Sequence, residues 1–171
     1  YGNDHPMLAH VLGHLGQVRN AQGDLTSAEP LLREALAIRR KAYGDEHPDT
    51  ASAFNNLASL LHDEGDFAGA EPFYRLALAA TEKRLGRRHP DYAVQVNNLA
   101  SLLEDWGRLT EAEPLLQTSL DVRRAAFGPD HPAVARALHN LARVELGLGL
   151  RARAEARAAD ALAIRRKVLP A

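Results

Sequence analysis

HPDTASAFNNLASLLHDEGDFAGAEPFYRLALAATEKRLGRRHP, residues 47–90, holds one complete unit of a pattern that runs through the chain. His-Pro opens the unit at His47-Pro48 and recurs at His89-Pro90. The same dipeptide stands at His5-Pro6 and His131-Pro132, each copy 42 residues from the next. Gly23, Gly65, Gly107 and Gly149 keep the spacing, as do Ala28-Glu29-Pro30, Ala70-Glu71-Pro72 and Ala112-Glu113-Pro114. Ala154-Glu155-Ala156 is a degraded fourth copy. A register held without gaps over four copies is the mark of a repeat architecture.

Each unit reads as two helices. Proline after histidine suits a first helical turn, where its missing N–H is not needed. Asp49 and Asp91 then place negative charge at the positive end of the helix dipole. Apolar residues follow at helical spacing: Phe54, Leu57, Ala58 and Leu61, then Val96, Leu99, Ala100 and Leu103. Gly65 and its equivalents stand where a left-handed cap ends the helix. Asp24 and Asp66 are good N-caps for the second helix, whereas Arg108 and Leu150 make weaker starts. Leu36, Leu78, Leu120 and Leu162 form one column of the second helix. Its internal proline should cost one backbone hydrogen bond and bend it slightly. Basic residues (Arg39-Arg40-Lys41, Arg123-Arg124, Arg165-Arg166-Lys167) and then Gly44, Gly86 or Gly128 are stop signals.

First helices are therefore predicted near 7–22, 49–64, 91–106 and 133–148, and second helices near 25–43, 67–85, 109–127 and 151–168. Small residues at Gly16, Ala58, Ala100 and Ala142 face Ala28, Ala70, Ala112 and Ala154, which lets paired helices approach closely. One such hairpin cannot bury its apolar face alone, so stability must come from stacking.

These residues resemble a known family. Asn55-Asn56-Leu57-Ala58, Leu61, Gly65, Ala70-Glu71-Pro72, Tyr74 and Ala77-Leu78 look like a tetratricopeptide repeat, and the period with its His-Pro junction is similar to the kinesin-light-chain subtype. The resemblance covers essentially all of the chain. It implies an all-α fold, a right-handed α-α superhelix of four helical hairpins, with repeats near 7–48, 49–90, 91–132 and 133–171 in a single solenoid over 1–171. It also implies a protein–protein interaction scaffold whose first helices line a concave groove for a peptide or partner segment. The same module serves as a regulatory or sensory arm of larger signalling enzymes and transcriptional regulators, which is the alternative reading.

Mapped by position, the groove would be lined by His14, Asn55, Asn56, Ser59, Asn97, Asn98, Ser101, Arg136, His139, Asn140 and Arg143. These lie on the helix face opposite the apolar columns. Asparagine offers donors and an acceptor, so a row of it suits an extended peptide backbone. Arg136, His139 and Arg143 make one end basic, which suits a ligand acidic at that end.

Other chemistries find little support. A formal net charge of -1 offers no bulk attraction to nucleic acid or anionic membrane, and no aromatic residues interleave the basic clusters. His10 and His14 have the i, i+4 spacing of metal ligands but no third ligand beside them, so neither metal nor other cofactor is expected. No phosphate loop, Gly-x-Ser-x-Gly elbow or His-Glu-x-x-His motif is present, so no enzymatic activity is expected. The chain lacks cysteine, which fits a reducing compartment and a cytoplasmic location. No apolar run has the length of a membrane span.

The ends carry two further expectations. The chain begins without Met, and Tyr1 to Pro6 echo Tyr43 to Pro48, as in a fragment of a longer protein with a repeat cut away upstream. Self-association through repeat 1 would follow. Arg151 and Arg157 in the columns of Phe67 and Phe73 read as a C-terminal cap with no neighbour to pack against.

Overall fold

The computed structural model describes residues 5–168, so the echo at Tyr1 to Asp4 lies outside the described residues. Among them are eight α-helices and no strand: α1 (Pro6–Ala21), α2 (Leu25–Tyr43), α3 (Pro48–Asp63), α4 (Phe67–Leu85), α5 (Pro90–Asp105), α6 (Leu109–Phe127), α7 (Pro132–Gly147) and α8 (Arg151–Val168). The second helices fall where the sequence places them. Each first helix starts one residue earlier than expected, because the proline is itself the first helical residue.

The histidine before each proline has a definite task. His5, His47, His89 and His131 are N-caps in extended conformation, and Nδ1 of each accepts the backbone N–H two residues on, at 3.1–3.2 Å. An imidazole nitrogen can accept only when it carries no proton, so the cap needs neutral histidine protonated on Nε2. Two joints add a stacked ring: Tyr43 lies 4.3 Å from His47 and Phe127 lies 4.6 Å from His131, centroid to centroid.

Asp24 caps α2 by accepting from Ser27 N–H, and Asp66 accepts from Gly69 N–H. Arg108 gives α6 no side-chain cap; it pairs instead with Glu111 at 2.7 Å. The first helices end in a Schellman turn. Gly23, at φ 77°, takes the left-handed conformation that an L-residue would adopt only under strain, and Asp24 N–H reaches back to Arg19 C=O. α2, α4 and α6 run unbroken through their internal prolines, Pro30, Pro72 and Pro114, while α8 has Ala156 in that place. The proline leaves an upstream carbonyl without its usual donor, and Thr118 Oγ1 donates to the carbonyl of Pro114 itself.

The chain falls into two compact units, 1–84 and 85–171. In the first, α1 packs on α2 and α2 on α3. A Cβ built on Gly16 would lie 2.7 Å from the Leu32 side chain, so Leu32 fills the space that a larger residue at this place would need. Phe54 of α3 stacks on Phe73 of α4, and His62 contacts Phe67 and Tyr74 edge-on. In the second unit, α5 packs on α6, α6 on α7 and α7 on α8. Its core is built from Val96, Leu99, Leu102, Leu103, Leu116, Leu120, Leu138 and Leu141, all fully buried. Buried Ser119 donates to the Ala93 carbonyl at 2.9 Å and so ties α6 to α5.

The fourth hairpin departs from this pattern. Glu145 stands in the column of Leu61 and Leu103 and is completely buried. Arg153 approaches its Oε1 to 2.8 Å and also Glu113 at 2.6 Å, while Arg157 lies 3.8 Å from Glu145. Neither Glu145 oxygen receives a hydrogen bond of good geometry, so the attraction is that of a charge pair. Arg157, in the Phe73 column, thus lies beside Glu145 of its own hairpin and also donates to Gln117 of α6 at 3.3 Å.

Candidate protein-interaction face

Two successive turns of a first helix bring the residues at i, i+3, i+4 and i+7 to one side. In α5 and α7 this side carries Asn97, Asn98 and Ser101, then Arg136, His139, Asn140 and Arg143, while the opposite columns are buried. Arg136, His139 and Arg143 are exposed; the asparagines and Ser101 are half-buried. Asn140 Nδ2 donates to Asn97 Oδ1 at 2.9 Å, which links α7 to α5. The amide row is thus partly engaged within the protein, more than solvent-facing groove residues would be.

Arg143 is engaged as well. It pairs with Glu104 of α5 at 2.7 Å. Burial pushes the Glu104 carboxyl above its ordinary range, and the Arg143 charge opposes that rise. The charge at this end rests instead on Arg136 and on Arg123, which sequence reasoning took for a helix-end cap. Arg123 is only 6% exposed and reaches from α6 across to the Ala133 carbonyl at the start of α7, at 3.3 Å. Burial lowers its pKa and the nearby Arg136 charge adds to that. Neither arginine has a carboxylate partner among the described residues. Arg39 makes the matching reach to the Asp49 carbonyl at 3.0 Å, so the recurring arginine stitches one hairpin to the next helix. The signal was in the sequence: arginine at the same place, 84 residues apart, without a matching acid.

In the first unit, α3 offers half-buried Asn55, Asn56 and Ser59, and α1 offers exposed His14. Ser59 bonds the Tyr74 hydroxyl. Burial, chiefly, pushes that phenol up to about 12; the Ser59 bond works against the rise and Asp63 adds to it. His14 meets His10 edge-on at 4.4 Å. Among the described residues no group of three His, Asp or Glu side chains is placed to hold a metal ion. No helix among them is long and apolar enough to cross a membrane.

The fold has close counterparts among solved structures. BtubC (BKLC) from P. vanneervenii superposes with a TM-score of 0.89 at 24% identity, over 98% of this chain and 68% of that one. A kinesin-light-chain-like protein of Podosopora anserina with nearly identical TPR-like repeats gives 0.86 at 24% identity, over 100% and 81%. The apo form of RapI gives 0.82 at 16% identity, over 95% and 57%. No curated protein matches the sequence. The tetratricopeptide repeat model matches residues 7–83, 49–108 and 91–167. Its repeat is the hairpin that recurs here four times. The chain therefore belongs to the tetratricopeptide repeat family, in general a family of protein-interaction modules.

Proposed function

We propose that the chain acts as one interaction scaffold over 1–171 and holds a partner polypeptide on its first-helix faces. The observation that carries this reading is the polar side of α5 and α7. There exposed Arg136 and His139 flank the Asn97–Asn140 amide pair, and buried Arg123 stands behind Arg136 without a counter-charge. Two cations so placed favour a partner segment with an acidic side chain at that end. Asn98 and Ser101 extend the same polar chemistry on the second unit, and Asn55, Asn56, Ser59 and His14 offer comparable polar groups on the first unit. Self-association through the first repeat is part of this reading and is supported by exposed apolar residues on α1. A cytoplasmic setting fits the absence of cysteine.

The test takes a partner captured on the immobilised chain and titrates it calorimetrically. Arg136→Glu combined with His139→Ala should weaken binding at least about tenfold, as loss of a charged contact worth roughly 1.5–3 kcal/mol implies. Both side chains are exposed, so the melting temperature should stay put. Unchanged affinity would remove this face from the account.

A further inference from the structure

One joint in each unit is stitched by an arginine, and the two joints differ in charge. Arg39 of α2 donates to the Asp49 carbonyl at 3.0 Å, and Arg123 of α6 donates to the Ala133 carbonyl at 3.3 Å. At the first joint the residue so reached is itself an acid, and uncharged Ser52 stands one turn further along α3. At the second joint alanine replaces the acid and Arg136 replaces the serine. The balance thus moves from one cation and one acid to two cations and no acid. Glu104, on the same side of α5, is held by Arg143 at 2.7 Å.

The second joint also has the means to hold an anion. Arg123 is only 6% exposed, and its long bond to Ala133 occupies one nitrogen of the guanidinium fork. Burial disfavours its charge, and the neighbouring Arg136 cation disfavours it further. An anion set against both guanidiniums offsets that repulsion and stands in for lost water. Repeat register supplies a third donor. A Cβ built on Gly13 would lie 3.6 Å from Arg39 Nη2, and Asn97 holds in α5 the place that Gly13 holds in α1. The register therefore sets the Asn97 side chain beside Arg123. Its oxygen accepts from Asn140, which leaves its amide N–H groups to donate. The side on which Arg136 stands is exposed in all four first helices, at His10, Ser52, Val94 and Arg136 alike.

We propose that Arg123, Arg136 and Asn97 form a site for a phosphate monoester dianion, presented by the partner segment as phosphoserine or phosphothreonine. This rests on the scaffold reading above and narrows it. A carboxylate brings one negative charge and offsets one of the two arginines. A phosphate monoester brings close to two at neutral pH, and three acceptor oxygens for the three donor groups. The planar guanidinium fork meets such oxygens by paired N–H···O bonds. Phosphorylation of the partner is then the event that strengthens its hold on this face.

The test titrates isotope-labelled chain, followed by nuclear magnetic resonance, with inorganic phosphate and with three end-blocked Gly-Gly-X-Gly-Gly peptides. X is phosphoserine, glutamate or serine. The side-chain N–H signals of Arg123, Arg136 and Asn97 should move and saturate with phosphate and with the phosphoserine peptide. That peptide should bind at least about tenfold more tightly than the glutamate peptide. Arg39, the single cation of the matching joint, should stay still. Arg136→Ser, an exposed change that gives the second joint the serine of the first, should remove the preference for phosphoserine and leave the circular dichroism spectrum as it was. Equal affinity for the phosphoserine and glutamate peptides overturns the proposal. So does a response at Arg39 as large as that at Arg123, or a preference that survives Arg136→Ser. Saturation by inorganic phosphate but not by the phosphoserine peptide makes this a free-anion site and overturns it too. The peptides need no captured partner, so the outcome is separable from that of the scaffold reading. A partner weakened by Arg136→Glu with His139→Ala, with no phosphoserine preference here, would leave the scaffold standing and the phosphate site refuted.

Discussion

The third and fourth hairpins share a register and differ in what fills it. In α5–α6, Leu103, Leu115, Leu116 and Leu120 make an apolar column set. In α7–α8 the same places hold Glu145, Arg157, Ala158 and Leu162. The first two exchange an apolar contact for a buried charge facing arginines, and the last two stand open. The comparison teaches that a column sets which way a side chain points, while the neighbouring hairpin decides whether it is buried. Leu15 and Leu141 make the same point at opposite ends of the sequence, with 43% and 0% exposure in one column.

The largest effect should come from that column. Leu141→Ala removes a fully buried side chain and should cost about 2–5 kcal/mol in urea denaturation. Leu15→Ala, measured below the concentration of association, should cost well under half as much. Equal losses would mean that α1 already has its outer face covered.

Next comes the charged exchange. Replacing a buried ion pair by apolar packing is often neutral or stabilising by about 1–4 kcal/mol, so Glu145→Leu, which restores the leucine of the third hairpin, should hold or raise stability. Arg153→Ala with Arg157→Ala should lower the melting temperature, because Glu145 then stays buried with no cation beside it. A clear loss of stability in Glu145→Leu would show that the charge does something in the folded protein beyond answering the two arginines.

The smallest effect concerns helix starts. His131→Ala removes the Nδ1 acceptor of α7 and should cost about 1 kcal/mol, while His131→Asn, a strong N-cap, should recover most of it. Equal melting temperatures for the two variants would move the role of His131 to its stacking on Phe127.

Much of this was legible in the sequence, for definite reasons. The 42-residue recurrence fixed the helix pairs, and Gly16 opposite Ala28 announced their close approach. Less legible were features that depend on what comes alongside. Histidine at the cap looks like a linker residue until its ring nitrogen is seen beside the N–H of Asp49. Arg123 at a helix end looks like dipole compensation, because the sequence does not say that its side chain crosses to α7. Asn140 and Asn97 lie on the expected side, yet one bonds the other, and Arg143 spends its charge on Glu104. The interaction face is therefore more pre-organised and less freely available than the bare column of polar residues implies.

Hydrogen–deuterium exchange with and without the captured partner tests the interaction face most directly. Binding on the first-helix side should slow exchange in α5 and α7, residues 90–105 and 132–147, and leave α6 and α8 nearly unchanged. Protection concentrated in 109–127 and 151–168 would place the partner on the second helices and contradict the account.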